Sequence, residues 1–253
     1  MHFYVYLLVM CAGMWLSSVS ANVKEVSEAV SIFDEVRNVG AVDEGFTVFT
    51  CSNKAAVGRL KPVKEGGLWF AVLVYPRQSA TTSPLLILTT ALSVVEGVAK
   101  TTGLQPLLRW PNEVSLHGSV VAAASVEMEV VNDTIARAFA GAGIYVNSKP
   151  TEHETSIAEQ AGGEIDHMLL LENILQSFTR NYHLYKEGWR VELLDRIRDM
   201  LEYVRTVVSV NLSQGTQLIG FLEGLDELGR LILRVDQERI PLAPADVESV
   251  TLF

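Results

Sequence analysis

Basic residues are scarce in this chain. Twenty Lys and Arg stand against thirty Asp and Glu, giving a formal net charge of −10 and a pI near 5.0. Binding a phosphate backbone needs a basic face, so nucleic acid is disfavoured as the main partner, while a locally basic pocket for one nucleotide stays open. Cysteine is scarcer still. Cys11 and Cys51 form no C-x-x-C and no zinc spacing with the five histidines. That rules out a disulfide framework and reads as two thiols in a reducing compartment. His117, His153, His167 and His183 show no mutual spacing for a metal or a triad. No G-x-S-x-G, Walker loop, internal repeat or low-complexity segment occurs. Charge is also missing from Met1 to Asn22, which holds no Asp, Glu, Lys or Arg. A secretory leader normally carries a basic n-region, and this apolar run is short for a membrane helix. A buried first strand over His2–Val9 is therefore expected in a cytoplasmic protein, with a secreted or anchored form as the alternative.

What is present is a core. The composition is 49% apolar and 20% charged, that of a globular chain. Val23, Val26, Val30, Phe33 and Val36 recur at steps of three and four, which predicts an amphipathic helix. Phe46–Cys51 reads as a short strand. Leu68–Tyr75, an unbroken apolar run after Gly66-Gly67, reads as a strand buried on both faces. Pro84–Lys100 reads as a helix with proline in its first turn. Leu107–Trp110, Leu116–Val130 (one strand or two) and Thr134–Val146 are further sheet material. Between Glu164 and Val204 two apolar stripes predict long helices. One runs through Ile165, Met168, Leu169, Ile174, Leu175 and Phe178, the other from Trp189 to Val204. Beyond Arg205 the period shortens to strands at Val207–Leu212, Gln217–Leu225, Leu231–Val235 and Val250–Phe253. That tail is long enough for a five-stranded barrel, so the expected division is 1–204 and 205–253.

Three short segments carry chemistry. Gly58-Arg59, with Lys61 and Lys64, is a small basic loop able to neutralise phosphate. Arg109-Trp110-Pro111-Asn112-Glu113 places a cation, a ring, an amide and a carboxylate at a strand end, where they can bind a charged small molecule or form an ordinary turn. Gly141-Ala142-Gly143-Ile144-Tyr145-Val146-Asn147 lets backbone approach a ligand, or simply lets a buried strand twist. It is no dinucleotide fingerprint, since no third glycine opens a helix.

In this order, and followed by Thr155-Ser156-Ile157, helices and a β module, these segments resemble a biotin–protein ligase, most of all the compact archaeal form without a DNA-binding domain. The resemblance runs from about Phe3 to Phe253. It is carried by EGGLWFAVLVYP (65–76), LRWPNEV (108–114), GAGIYVN (141–147) and GFLEGLDELGRLILR (220–234). It implies an α+β fold: a biotin/lipoate ligase-like mixed sheet with flanking helices, then a small C-terminal SH3-like β-barrel. It implies activation of biotin with ATP to biotinyl-5′-adenylate, then transfer to a lysine of a biotin carboxyl carrier domain. Mg²⁺ would accompany ATP near Glu113, with no fixed metal site; a small-molecule ligand and a homodimer fit the same picture. Carried over by position, Arg59 and Glu113 are the catalytic candidates. Gly58, Gly66, Gly67, Trp69, Arg109, Trp110, Asn112, Gly141, Gly143 and Asn147 are the substrate- and nucleotide-binding ones.

This sequence departs from the family pattern at several points. The Ser-Thr-Asn that binds biotin is assigned to Met10-Cys11-Ala12-Gly13. The G-R-G-R-x-x-R-x-W loop is cut to Gly58-Arg59-Leu60, and the asparagine of G-x-G-x-N is Tyr145. The family lysine, about eleven residues beyond the K of K-W-P-N-D, aligns to Val120; the nearby glycine is Ala123, and Glu127 is kept. Two readings follow. One is a divergent ligase in which Arg59, Arg109, Lys61 or Lys64 supplies charge. The other is a non-catalytic homologue that binds a ligand or a partner protein. A lipoate-ligase or octanoyltransferase relative is a third, against which the R-W-P-N-E segment and the barrel tail argue.

Overall fold

The computed structural model describes residues 22–40, 42–58, 60–149, 151 and 154–253. The expected strand over His2–Val9 lies outside them. A seven-stranded sheet is built from β1 (Val23–Glu25), β2 (Thr47–Thr50), β3 (Leu68–Val74), β4 (Leu107–Arg109), β5 (Glu113–Leu116), β6 (Ser119–Val131) and β7 (Thr134–Ile144). Their spatial order is β1-β2-β3-β7-β6-β5-β4. Only β1–β2 is parallel; the remaining pairs are antiparallel. All seven residues of β3 are buried, as expected for an apolar run held between two neighbours and covered on both faces.

One face is covered by helices. These are α2 (Ser83–Thr102), α4 (His167–Lys186) and α5 (Arg190–Asp199), with Ile157 of the short α3 (Ile157–Ala161) in the same core; the short α1 (Ile32–Arg37) packs on the opposite face. The stretch Ala80–Thr102 is long and apolar enough to cross a membrane, yet 72% of its most apolar window is buried. It packs between the sheet and α4 as a core helix. Glu96 on α2 accepts hydrogen bonds from Arg180 and Asn181 on α4 and from Arg196 on α5, which ties the three helices together.

The tail forms a second, five-stranded antiparallel sheet. Its strands are β8 (Val207–Leu212), β9 (Gln217–Leu225), β10 (Leu231–Val235), β11 (Glu238–Leu242) and β12 (Val247–Leu252), in the order β11-β10-β9-β8-β12. The α+β class, with a mixed sheet, flanking helices and a small β tail, is the one expected.

Three local expectations are corrected, and one left open, Leu116–Val130, is decided. Val23–Val36 is not one helix: β1 comes first, Ala29 pairs with Asn53, and only Ile32–Arg37 is helical. The valines that imitate a helical stripe are β-branched and suit a strand edge, and Val30 is 69% exposed. Leu116–Val130 is two strands, broken at His117-Gly118, both at positive φ. Trp189 and Met168, placed in buried stripes by spacing, are half exposed at the starts of their helices. The tail also holds β11, which spacing missed because it contains Pro241; proline is tolerated there because β11 is an edge strand.

Candidate functional site

The registers of five strand pairs line the expected site residues up in one row. Thr50 faces Trp69, Trp69 faces Gly143, Gly143 faces Ala123, Ala123 faces Glu113, and Glu113 faces Arg109. Residues directly opposite in neighbouring strands project to the same side of a sheet. Segments far apart in sequence therefore deliver Trp69, Gly143, Ala123 and Glu113 to one face, the one not covered by α2 and α4. Val120 joins them through a β-bulge. Ala122 pairs with Val114 and Val120 with Ser115, so Val121 is the extra residue. The bulge turns Val121 into the helix-side core and leaves Val120 on the site face.

The row is tightly made at its centre. A Cβ on Gly143 would stand 2.8 Å from Trp69 Nε1, and one on Gly67 only 1.9 Å from the far edge of the same indole. The two glycines thus hold a fully buried Trp69 flat between β7 and the turn that precedes β3. Trp69 Nε1 has no hydrogen-bond partner among the described residues, nor has Asn53 Oδ1, although both are buried. An unpaired buried polar group costs about 1–3 kcal/mol.

A loop lies over this face. Val57, Leu60 and Val63 are buried in the cluster that contains Trp69, Ala123 and Tyr145. A Cβ on Gly58 would be 3.1 Å from Asn112 Nδ2 and 3.3 Å from Ala123 Cβ. The Tyr145 hydroxyl accepts from the Lys61 amide at 2.9 Å and donates to the Lys61 carbonyl at 3.2 Å. Burial pushes the Tyr145 pKa up to about 12, so the phenol stays neutral and can do both. Between loop and sheet remains a cavity of about 190 Å³, lined by Leu60, Glu113, Ser119, Val120, Tyr145, Glu154 and Thr155. That is smaller than the roughly 300–1,000 Å³ of most small-molecule pockets. Its walls combine aliphatic groups with two carboxylates, Glu113 being 4% exposed. The Lys61 ammonium stands 3.8 Å from Glu154.

Several candidates have their polar groups engaged within the protein. Arg109 holds both oxygens of Glu202, at 2.6 and 3.2 Å, the Tyr203 hydroxyl at 2.7 Å and the Gly118 carbonyl at 3.0 Å. The buried Trp110 donates to the Gly229 carbonyl in the turn between β9 and β10. Asn112 donates to the Ala124 carbonyl. The Asn147 side chain pairs with both backbone groups of Ile165, while its amide donates to Gly66. Gly141 lies along β7 from Gly143 and faces Ala71. Arg59 and Met10–Gly13 lie outside the described residues. The first described strand leads instead into Val26–Ser31, whose Ala29 pairs with Asn53 ahead of the loop. Spacing missed the positions of Asn53, Glu154 and Tyr145. Only Tyr145 left a signal, as a bulky residue inside a glycine motif.

No family model matches the chain. It is 26% identical over 216 residues to the bifunctional ligase/repressor BirA of Bacillus subtilis, and equally to that of Bacillus spizizenii. Each match covers 81% of this chain and 66% of the relative, just under two thirds of its length. The structure of biotin protein ligase from Aquifex aeolicus in complex with biotin and ATP superposes with a TM-score of 0.77 at 23% identity, covering 92% of this chain and 99% of that one. The chain is similar in sequence to these ligases and shares the fold of the biotin–protein ligases. A biotin protein ligase-like protein of unknown function from Silicibacter also shares the fold, with a TM-score of 0.69, 12% identity, and coverage of 88% of this chain and 94% of that one. Val120, expected from the resemblance to stand where the family has a lysine, lies on the site face and lines the cavity.

Proposed function

We propose that this chain activates biotin with ATP to biotinyl-5′-adenylate and passes biotin to a lysine of a biotin carboxyl carrier domain. The row from Trp69 through Gly143 and Ala123 to Glu113 supports this most strongly, because it runs from an apolar slot to a carboxylate along one sheet face. Biotin's fused rings suit the slot. Their ureido group carries an acceptor for Trp69 Nε1 and donors for Asn53 Oδ1, the two buried atoms without a described partner. In the first step a carboxylate oxygen of biotin attacks the α-phosphorus and pyrophosphate leaves. In the second a neutral lysine amine attacks the acyl carbonyl and AMP leaves. Both need positive charge on phosphate oxygens and exclusion of water.

Arg109 serves as a strut to Glu202 in this reading, so Arg59, Lys61 and Lys64 supply the charge. Glu113 and Glu154 are hard oxygen donors of the kind that hold Mg²⁺ alongside nucleotide phosphates. Among the described residues no three His, Cys, Asp or Glu side chains group as a fixed metal site, so the fit is to an accompanying ion that would neutralise phosphate charge. Residues 1–204 form the ligase part and 205–253 a C-terminal barrel, acting in the cytoplasm where ATP and carrier domains are found. With Val120 in place of a lysine, one fixed cation is missing, which costs about 10³ in rate.

Val120 and the engaged Arg109 favour a second reading, a homologue that binds biotin or a carrier protein without catalysis. Incubating the full chain with ATP, Mg²⁺, biotin and a carrier domain separates the two. Labelling of the carrier lysine above the level produced by free biotinyl-adenylate supports the ligase. Labelling no faster than that control leaves the binding module.

A further inference from the structure

The geometry points to His117 as the general base of the transfer step, the group that takes a proton from the incoming lysine. This rests on the proposed ligase function and adds a residue to its second half. An acceptor lysine arrives protonated and cannot attack until it loses a proton. It also belongs to a second protein, so its base must be reachable from outside and must adjoin the cavity. His117 is exposed, in the His117-Gly118 turn between β5 and β6. Ser119, next along the chain, lines the cavity of about 190 Å³. Thr155 lines it too, and His117 is joined to Thr155 through Gln160.

An imidazole base needs one nitrogen bare and the other held, and a chain of hydrogen bonds decides which is which. The Glu159 carboxylate, bound by Lys149 Nζ at 2.7 and 2.9 Å, can only accept. Thr155 Oγ1 therefore donates to it, at 3.1 Å, and accepts from Gln160 Nε2 at 2.9 Å. That leaves Gln160 Oε1 facing His117 Nδ1, 2.6 Å away. An amide oxygen accepts, so Nδ1 carries the proton and Nε2 of the neutral ring is the base. An ion pair on α3 thus sets the tautomer of a histidine on the β5–β6 turn. In the step, Nε2 takes one proton from the lysine ammonium. The neutral amine attacks the acyl carbon and the carbon–nitrogen bond forms. The bond from that carbon to the phosphate oxygen breaks, and its electron pair leaves with AMP. The surplus proton on nitrogen and the proton on His117 pass to water.

The test supplies preformed biotinyl-5′-adenylate to the full chain, which bypasses adenylation, and compares two acceptors. One is the lysine of a carrier domain. The other is hydroxylamine, a weakly basic amine that is already neutral at the assay pH and needs no base. His117→Asn suits the turn, because asparagine tolerates its left-handed backbone, φ 48°. The ratio of carrier labelling to hydroxamate, each above its protein-free control, should fall about 10²-fold in this variant. Damage to the fold lowers both products and spares the ratio, so a ratio within about threefold of the parent's overturns the base. Gln160→Met keeps the side chain's length and removes the amide oxygen. Its ratio should fall about tenfold, as when the group that orients a functional histidine is lost. An unchanged ratio there contradicts the relay even if His117→Asn fails to fold. A parent chain that labels no carrier above the control overturns the ligase reading and the base with it. A parent that labels the carrier, with a ratio that survives both substitutions, overturns the role of His117 alone.

Discussion

Replacing Glu202 with glutamine decides what Arg109 is for. The guanidinium is engaged through Nε and Nη2: two bonds to Glu202, one to the Tyr203 hydroxyl and one to the Gly118 carbonyl, with its carbon 5.2 Å from the Tyr203 ring centre. The two side chains are 12% and 7% exposed. Burial pulls the Arg109 pKa down, the bonds to Glu202 push it up, and the balance lies above its ordinary value, so its charge persists at every working pH. Losing one partner of a buried pair costs about 3–5 kcal/mol, because the remaining charge is stranded. Glutamine keeps the shape and one acceptor, and Arg109 keeps two other partners, so the low end, about 3 kcal/mol, applies. At about 2–4 °C per kcal/mol for a chain of this size, the melting midpoint should fall by about 6–12 °C. Arg109→Lys should behave similarly, since an ammonium cannot span both carboxylate oxygens. Neither change should alter ATP affinity more than about twofold once measured well below the transition. A Glu202→Gln protein that melts within about 2 °C of the parent, beside an Arg109→Lys protein that loses ATP binding, would show that Arg109 serves the nucleotide and that the strut reading is mistaken.

Three further outcomes are expected. Val120→Lys returns a cation to the cavity beside Glu113, and biotin-dependent adenylation should rise about 10²–10³-fold; a folded variant with no gain shows that the lysine is not what the site lacks. Gly67→Ala puts a methyl 1.9 Å from Trp69 and should lower denaturation stability by about 1–3 kcal/mol; an unchanged urea midpoint contradicts the tight Trp69 seat. Burial raises the Glu44 carboxyl, but its bonds with Lys186, the Tyr75 amide and Tyr182 outweigh this and hold it below its ordinary 4.5. A pKa lowered by folding contributes stability above the ordinary value that is lost as pH falls through and below it. Glu44→Gln should therefore flatten the acid limb of the stability profile, and an unchanged limb would exclude this network as its source.

The central strands and the core helix were legible because unbroken apolar runs such as Leu68–Tyr75 have few alternatives. Val23–Val36 was misread because β-branched residues at helical spacing satisfy both patterns, and pairing with β2 and Asn53 decides between them. The three site motifs were legible as segments, and the register brings Trp69, Gly143 and Glu113 onto one face. The tasks of individual side chains were not legible. Trp110 and Asn147 are residue types that serve a ligand or a fold equally well, and here they bond Gly229 and Ile165. The bulge that keeps Val120 on the site face depends on a register slip that no spacing reveals. Tyr145 looked like a plain departure from a glycine motif because its partner is the backbone of Lys61, 84 residues away.

Biotin-dependent exchange of labelled pyrophosphate into ATP tests adenylation most directly, because it needs no carrier protein and no product release. The full chain with ATP and Mg²⁺ should show exchange that appears on adding biotin, disappears when biotin is withheld, and strengthens in Val120→Lys. Exchange at background with saturating biotin, in both proteins, would contradict an adenylating site on this sheet face.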